Sequence, residues 1–409
     1  MSPRSAQDTP QKFDGWFVVG AVFVSLMVNS GLGFYGLAVY LEAITDEYGL
    51  SVSSVSLATS MFFVVSAVTG RLIAPVIQER DLRISVGVGG VIMALGLILI
   101  GRSTRLLTLY PSYVIFAVGT GLSGLVPSTT LVTRWFQQKR SVALSVASTG
   151  LSVGGLTITV FAAWWIDRRG MAGAMPLLAL IALVVISATL LWMWPDPAAR
   201  GQAPDGDGSP AAVAAGASGV GYEEAVRSIF FVLVTVAFVF AMAAQVGGIA
   251  QLAKMGTERV DAATGTLLVS VVAGTSVIFR LIGGVVASRV KLITFTGTLA
   301  VIQGVALFMM SGGASRTELV IATAVFGATI GNLLMLQPLV LADRFGVTNY
   351  PRIYSFCQLI VTGLGVAGGP YLLGVLRDQW SYEVSYVVAG IGSVIAGVVF
   401  FAAWHFDTA

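Results

Sequence analysis

Residues 195–224 read PDPAARGQAPDGDGSPAAVAAGASGVGYEE and form the longest polar interruption in an otherwise apolar chain. Their Pro, Gly, Ala and Asp content is typical of a flexible linker. Six long apolar stretches precede this segment and six follow it. The segment therefore divides the chain into residues 1–194, a linker at 195–228, and residues 229–409. We expect each flanking part to fold as one half of the protein.

The composition of the chain is that of a protein solvated by lipid. Hydrophobic residues make up 56% of the sequence and charged residues 11%, whereas soluble domains carry about 25% charged residues. So few charges could not cover the surface of a soluble protein of 409 residues. In a bilayer, outward-facing side chains can stay apolar, so the composition predicts an integral membrane protein.

Twelve apolar stretches are long enough to cross the hydrocarbon core, which takes about 20 residues of helix. Their length and their lack of alternating polarity favour helices over strands. We number them spans 1 to 12 and predict them at residues 16–41, 52–74, 84–101, 107–133, 141–166, 172–194, 229–252, 262–288, 291–312, 318–342, 352–376 and 384–405.

The two groups of six spans resemble each other in sequence. Span 4 ends in residues 133–135 (TRW) and span 10 ends in residues 343–345 (DRF). A glycine cluster follows in the next span of each group, at 150–155 and at 363–369. Two related halves are a transporter architecture with the substrate site at their interface. The sequence thus predicts an all-α membrane fold of two pseudo-symmetric six-helix halves.

The Lys and Arg residues are unevenly distributed across the predicted membrane. With both termini in the cytoplasm, about 14 of them fall in cytoplasmic segments and about 8 fall outside. Cytoplasmic loops of membrane proteins carry an excess of Lys and Arg. We therefore expect a multi-pass protein of the cell inner (plasma) membrane, with both termini and the linker in the cytoplasm.

Several classes of function are disfavoured by what the chain lacks. One Cys and one His exclude a disulfide framework, a multi-Cys metal site and most His-based catalysis. The net charge is +3, but the basic residues are scattered over short loops, which disfavours nucleic-acid binding. The phosphate-binding pattern of ATP-driven transporters does not occur. We expect no cofactor, no metal and no enzymatic activity.

The six-plus-six layout resembles the major facilitator superfamily over nearly the whole chain. That family carries the pattern G-x-L-A-D-R-x-G-R in the loop after span 2, and the match here is loose, with Ala74 where the family has Asp. The resemblance therefore rests on the layout more than on this motif, and it implies alternating access of two halves around a central site. The matching positions are Gly70, Leu72, Arg80 and Arg83.

Two segments resemble the monocarboxylate transporter branch of that superfamily and its bacterial relatives, which include oxalate–formate exchangers. Residues 14–16 (DGW) open span 1 as the branch signature D-G-G-W does. The span 8 motif D-x-x-x-R-P-x-x-G is matched at Arg280 and Gly284, with Ser276 in place of the Asp. Tyr35 replaces the Lys of animal members in span 1. The resemblance implies a monocarboxylate moved with a proton, and both departures affect residues that take part in proton coupling.

Arg280 is a charged residue deep inside a predicted span. It lies about 12 Å from the cytoplasmic end of span 8, about twice the reach of an Arg side chain. A charge this deep costs about 2.5–3.5 kcal/mol unless it faces a cavity or a partner. No Asp or Glu occurs in the interior of a predicted span, since Glu318 is the first residue of span 10. This absence weakens the alternative of a structural ion pair. We expect Arg280 to bind a carboxylate, which its planar guanidinium matches with two parallel hydrogen bonds.

Other polar residues within the spans are weaker candidates for substrate contacts. Amide side chains in membranes also form hydrogen bonds between helices, and this alternative stays open for each of them. At the helix ends, we expect basic residues to fix topology and to make gating contacts between helices, as with Arg71, Arg134 and Arg344. The candidate substrate contacts are Asn29 and Tyr35 in span 1, Gln245 in span 7, Asn332 in span 10 and Gln358 in span 11.

These features predict a secondary active transporter of a small organic monocarboxylate anion, similar to lactate or pyruvate. The partners expected are this anion, protons and the lipid bilayer, with a monomer as the functional unit. The proton carrier would be a loop-end carboxylate such as Glu42 or Asp261, or the substrate itself. The alternative is an efflux pump or exchanger of the same fold for another organic anion or amphipathic compound. A membrane enzyme or a sensor is disfavoured, since neither catalytic clusters nor an output domain are visible.

Overall fold

The computed structural model describes residues 13–206 and 219–406, and the chain termini and the middle of the linker lie outside these ranges. Within them, eleven helical segments are long and apolar enough to cross a membrane. The longest, Arg140–Thr189, is broken at Gly170. The φ of +67° at Gly170 is a left-handed conformation that favours glycine. The break separates span 5 from span 6, so the twelve predicted spans are confirmed.

The helices begin and end close to the predicted positions. Span 6 stops at Thr189, five residues before its predicted end at 194, because the chain there turns into the linker. Spans 1, 2, 7 and 11 continue beyond their predicted ends, since a helix does not stop at the edge of the hydrocarbon core. The spans are Gly15–Tyr48, Val52–Glu79, Leu82–Gly101, Leu106–Trp135, 140–169, 171–189, Ile229–Arg259, Ala262–Ala287, Leu292–Gly312, Arg316–Phe345, Tyr350–Gln379 and Tyr382–Trp404.

Several helices begin at residues whose side chains satisfy the free backbone N–H groups of the first turn. The Asp261 carboxylate accepts from the Thr264 N–H at the start of span 8. Ser315 accepts from the Glu318 N–H while the Glu318 carboxylate accepts in return, which is a capping box at the start of span 10. These caps fix where the spans begin, so the loops between them stay short.

The predicted glycine clusters permit close packing of helices in related places. A Cβ at Gly154 in span 5 would overlap the carbonyl of Met27 in span 1. A Cβ at Gly369 in span 11 would overlap the carbonyl of Ala243 in span 7. Spans 5 and 1 therefore meet as spans 11 and 7 do, as small residues allow in membrane helices. This equivalence supports two related halves, and their boundaries at 194 and 229 stay a prediction.

Spans 1–6 meet spans 7–12 mainly along two pairs of helices: span 5 packs on span 8, and span 2 packs on span 11. We call the end of the bundle that carries residues 195–206 and 219–228 the linker side, and the opposite end the far side. On the linker side, the Gln78 amide donates a 3.0 Å hydrogen bond to Asn349. This contact joins span 2 to the start of span 11, so the two halves are closed together on the linker side.

Candidate functional site

A cavity of about 200 Å³ lies between the two groups of six spans. Most of its wall is apolar, and Arg280 is the only charged residue among the described residues that line it. Concave, mostly apolar sites with a few polar groups are typical of small-molecule binding. The polar residues of the wall are Asn29, Ser30, Tyr35, Ser66, Thr120, Gln245, Arg280, Gln358 and Thr362.

Two π-helical turns border this cavity. Ser30–Phe34 interrupts span 1, and Val361–Val366 interrupts span 11. A π turn inserts an extra residue into a helix, and such turns are frequent at functional sites. Each turn contributes residues to the wall of the cavity, so the irregular backbone coincides with the candidate site.

Arg280 is 2% exposed and sits at the contact between span 8 and span 5. Its Nη1 donates to the backbone carbonyl of Ser148, and the Ser145 hydroxyl donates to the carbonyl of Arg280. Its buried Nε has no hydrogen-bond partner, and no ion pair to Arg280 occurs within residues 13–206 and 219–406. The guanidinium is therefore charged, buried and incompletely satisfied.

Besides Asn29, three more predicted site residues line the cavity together with Arg280: Tyr35, Gln245 and Gln358. The Tyr35 ring rests where Gly155 of span 5 leaves room, since a Cβ there would lie 2.8 Å from the ring. Gln358 donates a 3.0 Å hydrogen bond to the hydroxyl of Thr362, which fixes its amide beside the π turn of span 11. The structure thus brings three uncharged polar groups to the wall that holds the cation.

The two predicted Asn residues differ in position. Asn29 lines the cavity, but its amide donates to the Ser123 hydroxyl at 2.9 Å in span 4. Asn332 does not line the cavity, because its amide points at span 8 and donates to the carbonyl of Phe279 at 2.9 Å. It occupies the space left by Gly283. Asn332 therefore makes a contact between spans 10 and 8, and its role as a substrate contact stays a prediction.

The sequence reasoning missed Gly331, which faces Arg280 from span 10. A Cβ at position 331 would lie 2.9 Å from the Arg280 Cβ and 2.5 Å from the Ser276 carbonyl. Only a glycine leaves room for the Arg280 side chain there. Its signal in the sequence is weak, because apolar spans contain many glycines.

The loop-end carboxylate Asp261 has a structural role. Hydrogen bonds from the side chain and backbone of Thr264 lower the pKa of the Asp261 carboxyl below its ordinary value. An N-cap carboxylate held in its ionised form is poorly suited to carry a proton near neutral pH. The other suggested carrier, Glu42, is exposed near the far-side end of span 1.

Two of the basic helix ends contact neighbouring elements of their own half, and the gating role expected of them stays a prediction. The Arg134 guanidinium donates at 2.9 Å to the carbonyl of Ile77, which ties span 4 to span 2. Arg344 donates at 3.1 Å to the carbonyl of Phe406, after the end of span 12. These arginines hold helices together on the linker side and lie outside the wall of the cavity.

Two packed groups of membrane helices around a central cavity with one buried cation define a membrane transporter. The sequence profile described as Major Facilitator Superfamily matches residues 21–360. The chain therefore belongs to the Major Facilitator Superfamily, and it is a multi-pass membrane transporter without enzymatic activity.

Named relatives and solved structures agree with this family. The chain is 26% identical over 407 residues to monocarboxylate transporter 13 of Bos taurus, covering 96% of this chain and 90% of that protein. It is 25% identical over 404 residues to monocarboxylate transporter 2 of Rattus norvegicus, covering 94% and 82%. The crystal structure of the E. coli fucose:proton symporter FucP is similar with a TM-score of 0.71 at 13% identity, covering 94% and 98%.

Proposed function

We propose that this protein is a secondary active transporter that moves a small organic monocarboxylate anion by alternating access. The observation that carries the proposal is Arg280, a buried cation in a largely apolar cavity with no carboxylate partner among the described residues. The carboxylate of the substrate would supply the negative charge that neutralises Arg280. One guanidinium matches one carboxylate, which favours a monocarboxylate over a dicarboxylate.

The electrostatics of the cavity support an anionic substrate. A lone positive charge at membrane depth repels cations and attracts anions, because the low dielectric of the site strengthens both interactions. The apolar wall would hold the rest of a small acid. The names of the relatives, monocarboxylate transporters 13 and 2, point to the same substrate class.

We further propose that the linker side faces the cytoplasm of a cell whose inner (plasma) membrane holds the protein. The Lys and Arg asymmetry supports this orientation. The contact between Gln78 and Asn349 would then close the cytoplasmic side, so the cavity would face outward. Because spans from both halves of one chain complete the cavity, we propose a functional monomer.

Proton coupling is a further part of the proposal. No Asp or Glu is among the described residues that line the cavity, and Asp261 caps span 8. The proton would therefore enter with the substrate carboxyl itself, or bind at an exposed carboxylate such as Glu42. The alternative of an anion exchanger or efflux pump is distinguished by counterflow: an exchanger needs substrate on the opposite side and does not respond to a proton gradient.

Uptake into proteoliposomes tests the proposal. Labelled lactate and pyruvate should accumulate when an inward proton gradient is imposed, and a lipophilic cation should not compete. Arg280→Ala should abolish uptake, whereas Arg316→Ala, at the exposed start of span 10, should leave it unchanged. Competition by the cation, or undiminished uptake by folded Arg280→Ala protein, would overturn the assignment.

A further inference from the structure

We propose that the preferred substrate is an aromatic monocarboxylate, whose ring lies against Phe34, Tyr35 and Phe63 while Arg280 holds its carboxylate. This inference rests on the proposed function and narrows it from monocarboxylates in general to acids with an aromatic ring. Three-carbon acids such as lactate would then still be carried, but they would bind more weakly than an aromatic acid.

Four aromatic side chains, which we call the aromatic wall, line the cavity on the side of spans 1 and 2. They are in contact as a chain: Phe34 lies 5.0 Å from Tyr35 and 5.6 Å from Phe63, and Phe63 lies 5.5 Å from Phe62, between ring centroids. Each of these contacts is edge-to-face. A further ring placed in the cavity would extend the same arrangement, which is the preferred geometry of aromatic pairs. The members of the aromatic wall are Phe34, Tyr35, Phe62 and Phe63.

The exposed fractions of these rings distinguish a ring that only packs within the protein from rings that can contact a ligand. Phe62 is 2% exposed and packs on Phe116 at 5.2 Å, so its role is structural. Phe34 is 40% exposed and Tyr35 is 38% exposed, although both line a cavity inside the bundle. Their uncovered faces gain most from an apolar ligand. The π turn Ser30–Phe34 directly precedes Tyr35 and brings two consecutive aromatic residues to the same cavity.

The size of the cavity fits a ring with a short acid group. An apolar cavity of about 150 Å³ is enough to bind benzene, and the cavity here is about 200 Å³. A three-carbon acid bound at Arg280 would leave much of the aromatic wall without contact. Arg280 and the aromatic wall line the same cavity, so an acid held at Arg280 by its carboxylate can reach that wall with its ring.

Competition binding to the purified full chain tests the inference with three probes: phenylacetate, cyclohexylacetate and L-lactate. We expect phenylacetate to bind at least about tenfold more tightly than lactate, which contacts less apolar surface. Against cyclohexylacetate, which has a similar size and no π system, we expect an advantage of about two- to tenfold. Equal or tighter binding of lactate would overturn the inference.

Variants separate this inference from the proposed function. Phe34→Leu should weaken phenylacetate binding by about two- to tenfold and leave lactate binding nearly unchanged. Phe240→Leu is a matched control, because Phe240 is also 40% exposed but does not line the cavity. Arg280→Ala should remove binding of all three acids, and its failure to do so would contradict the carboxylate site itself. Phe34→Leu protein that keeps full phenylacetate affinity, with an unchanged unfolding temperature, would contradict the role of the aromatic wall alone.

Discussion

The guanidinium of Arg71 donates a 2.8 Å hydrogen bond to the hydroxyl of Tyr222, so the linker is attached to span 2 close to the seam between the halves. The guanidinium of Arg352, at the start of span 11, lies 4.5 Å from the centroid of the same ring. Tyr222 therefore contacts one cation from each half. A cation over an aromatic face is attracted by the ring quadrupole. Tyr222 therefore connects span 2 to span 11 on the closed linker side.

Removal of the contacts between Tyr222 and the two arginines should favour opening of the linker side. We expect Tyr222→Ala to lengthen the distance between spin labels at Gln138 and Ser288, two exposed linker-side positions from different halves. Tyr222→Phe, which keeps the ring, should have a smaller effect. Tyr371→Ala is the control, because Tyr371 is 77% exposed on span 11 and outside the cavity. An unchanged distance distribution in Tyr222→Ala would show that other contacts keep this side closed.

Gly331 should be intolerant of even a methyl group. In Gly331→Ala the new Cβ would press on the Ser276 carbonyl at 2.5 Å and on the Arg280 Cβ at 2.9 Å. Overpacking of this kind costs about 1–3 kcal/mol, and we expect a lower unfolding temperature together with weaker substrate binding. Gly374→Ala is the matched control, because no atom lies within 4 Å of a Cβ there and Gly374 does not line the cavity. Equal stability of the two variants would show that span 10 can move away from Arg280.

The linker side should be cytoplasmic. A cysteine at Ala199, which is exposed in the linker, should resist a membrane-impermeant thiol reagent added to intact cells. A cysteine at Thr104, exposed on the far side, should react. The native Cys357 is buried and should not contribute to the signal. The reverse labelling pattern would overturn the orientation.

The spans could be predicted from sequence because a run of about 20 apolar residues has few alternatives to a membrane helix. Arg280 stood out for a similar reason, since a deep charge is rare and costly. Which way a residue faces is harder to predict. Asn332 has the same polarity and depth as a cavity residue, but span 10 turns it toward span 8. Phe34 and Phe63 carry no distinguishing signal among many apolar residues, and their exposure to the cavity depends partly on a π turn.

The route of the proton should not depend on Ser276. Ser276 occupies the position of the Asp in the span 8 motif of the monocarboxylate transporter branch. Its hydroxyl does not titrate near neutral pH. We expect Ser276→Ala to keep the pH dependence of uptake in proteoliposomes, with a profile that overlays the wild-type profile. Complete loss of gradient-driven uptake by Ser276→Ala protein that unfolds at the wild-type temperature would make the hydroxyl part of a proton relay.

The geometry of Arg280 should matter as much as its charge. Arg280→Lys retains the positive charge but loses the planar fork that can donate two parallel hydrogen bonds to a carboxylate. A hydrogen bond to a charged group contributes about 1.5–3 kcal/mol, so loss of one should weaken carboxylate binding by about ten- to a hundredfold. Lys would also leave the Ser148 carbonyl without the donor that Nη1 provides, which loosens the contact between spans 8 and 5.

The measurement is equilibrium binding of phenylacetate and lactate to purified variants, with thermal unfolding as the test of folding. Arg316→Lys, at an exposed position on the far side, should bind as the wild type does. Arg280→Ala should lose more affinity than Arg280→Lys and can gain thermal stability without ligand, because a buried charge with an unpaired Nε is removed. If Arg280→Lys instead binds both acids with wild-type affinity, the guanidinium acts only as a point charge and the two-pronged contact is wrong.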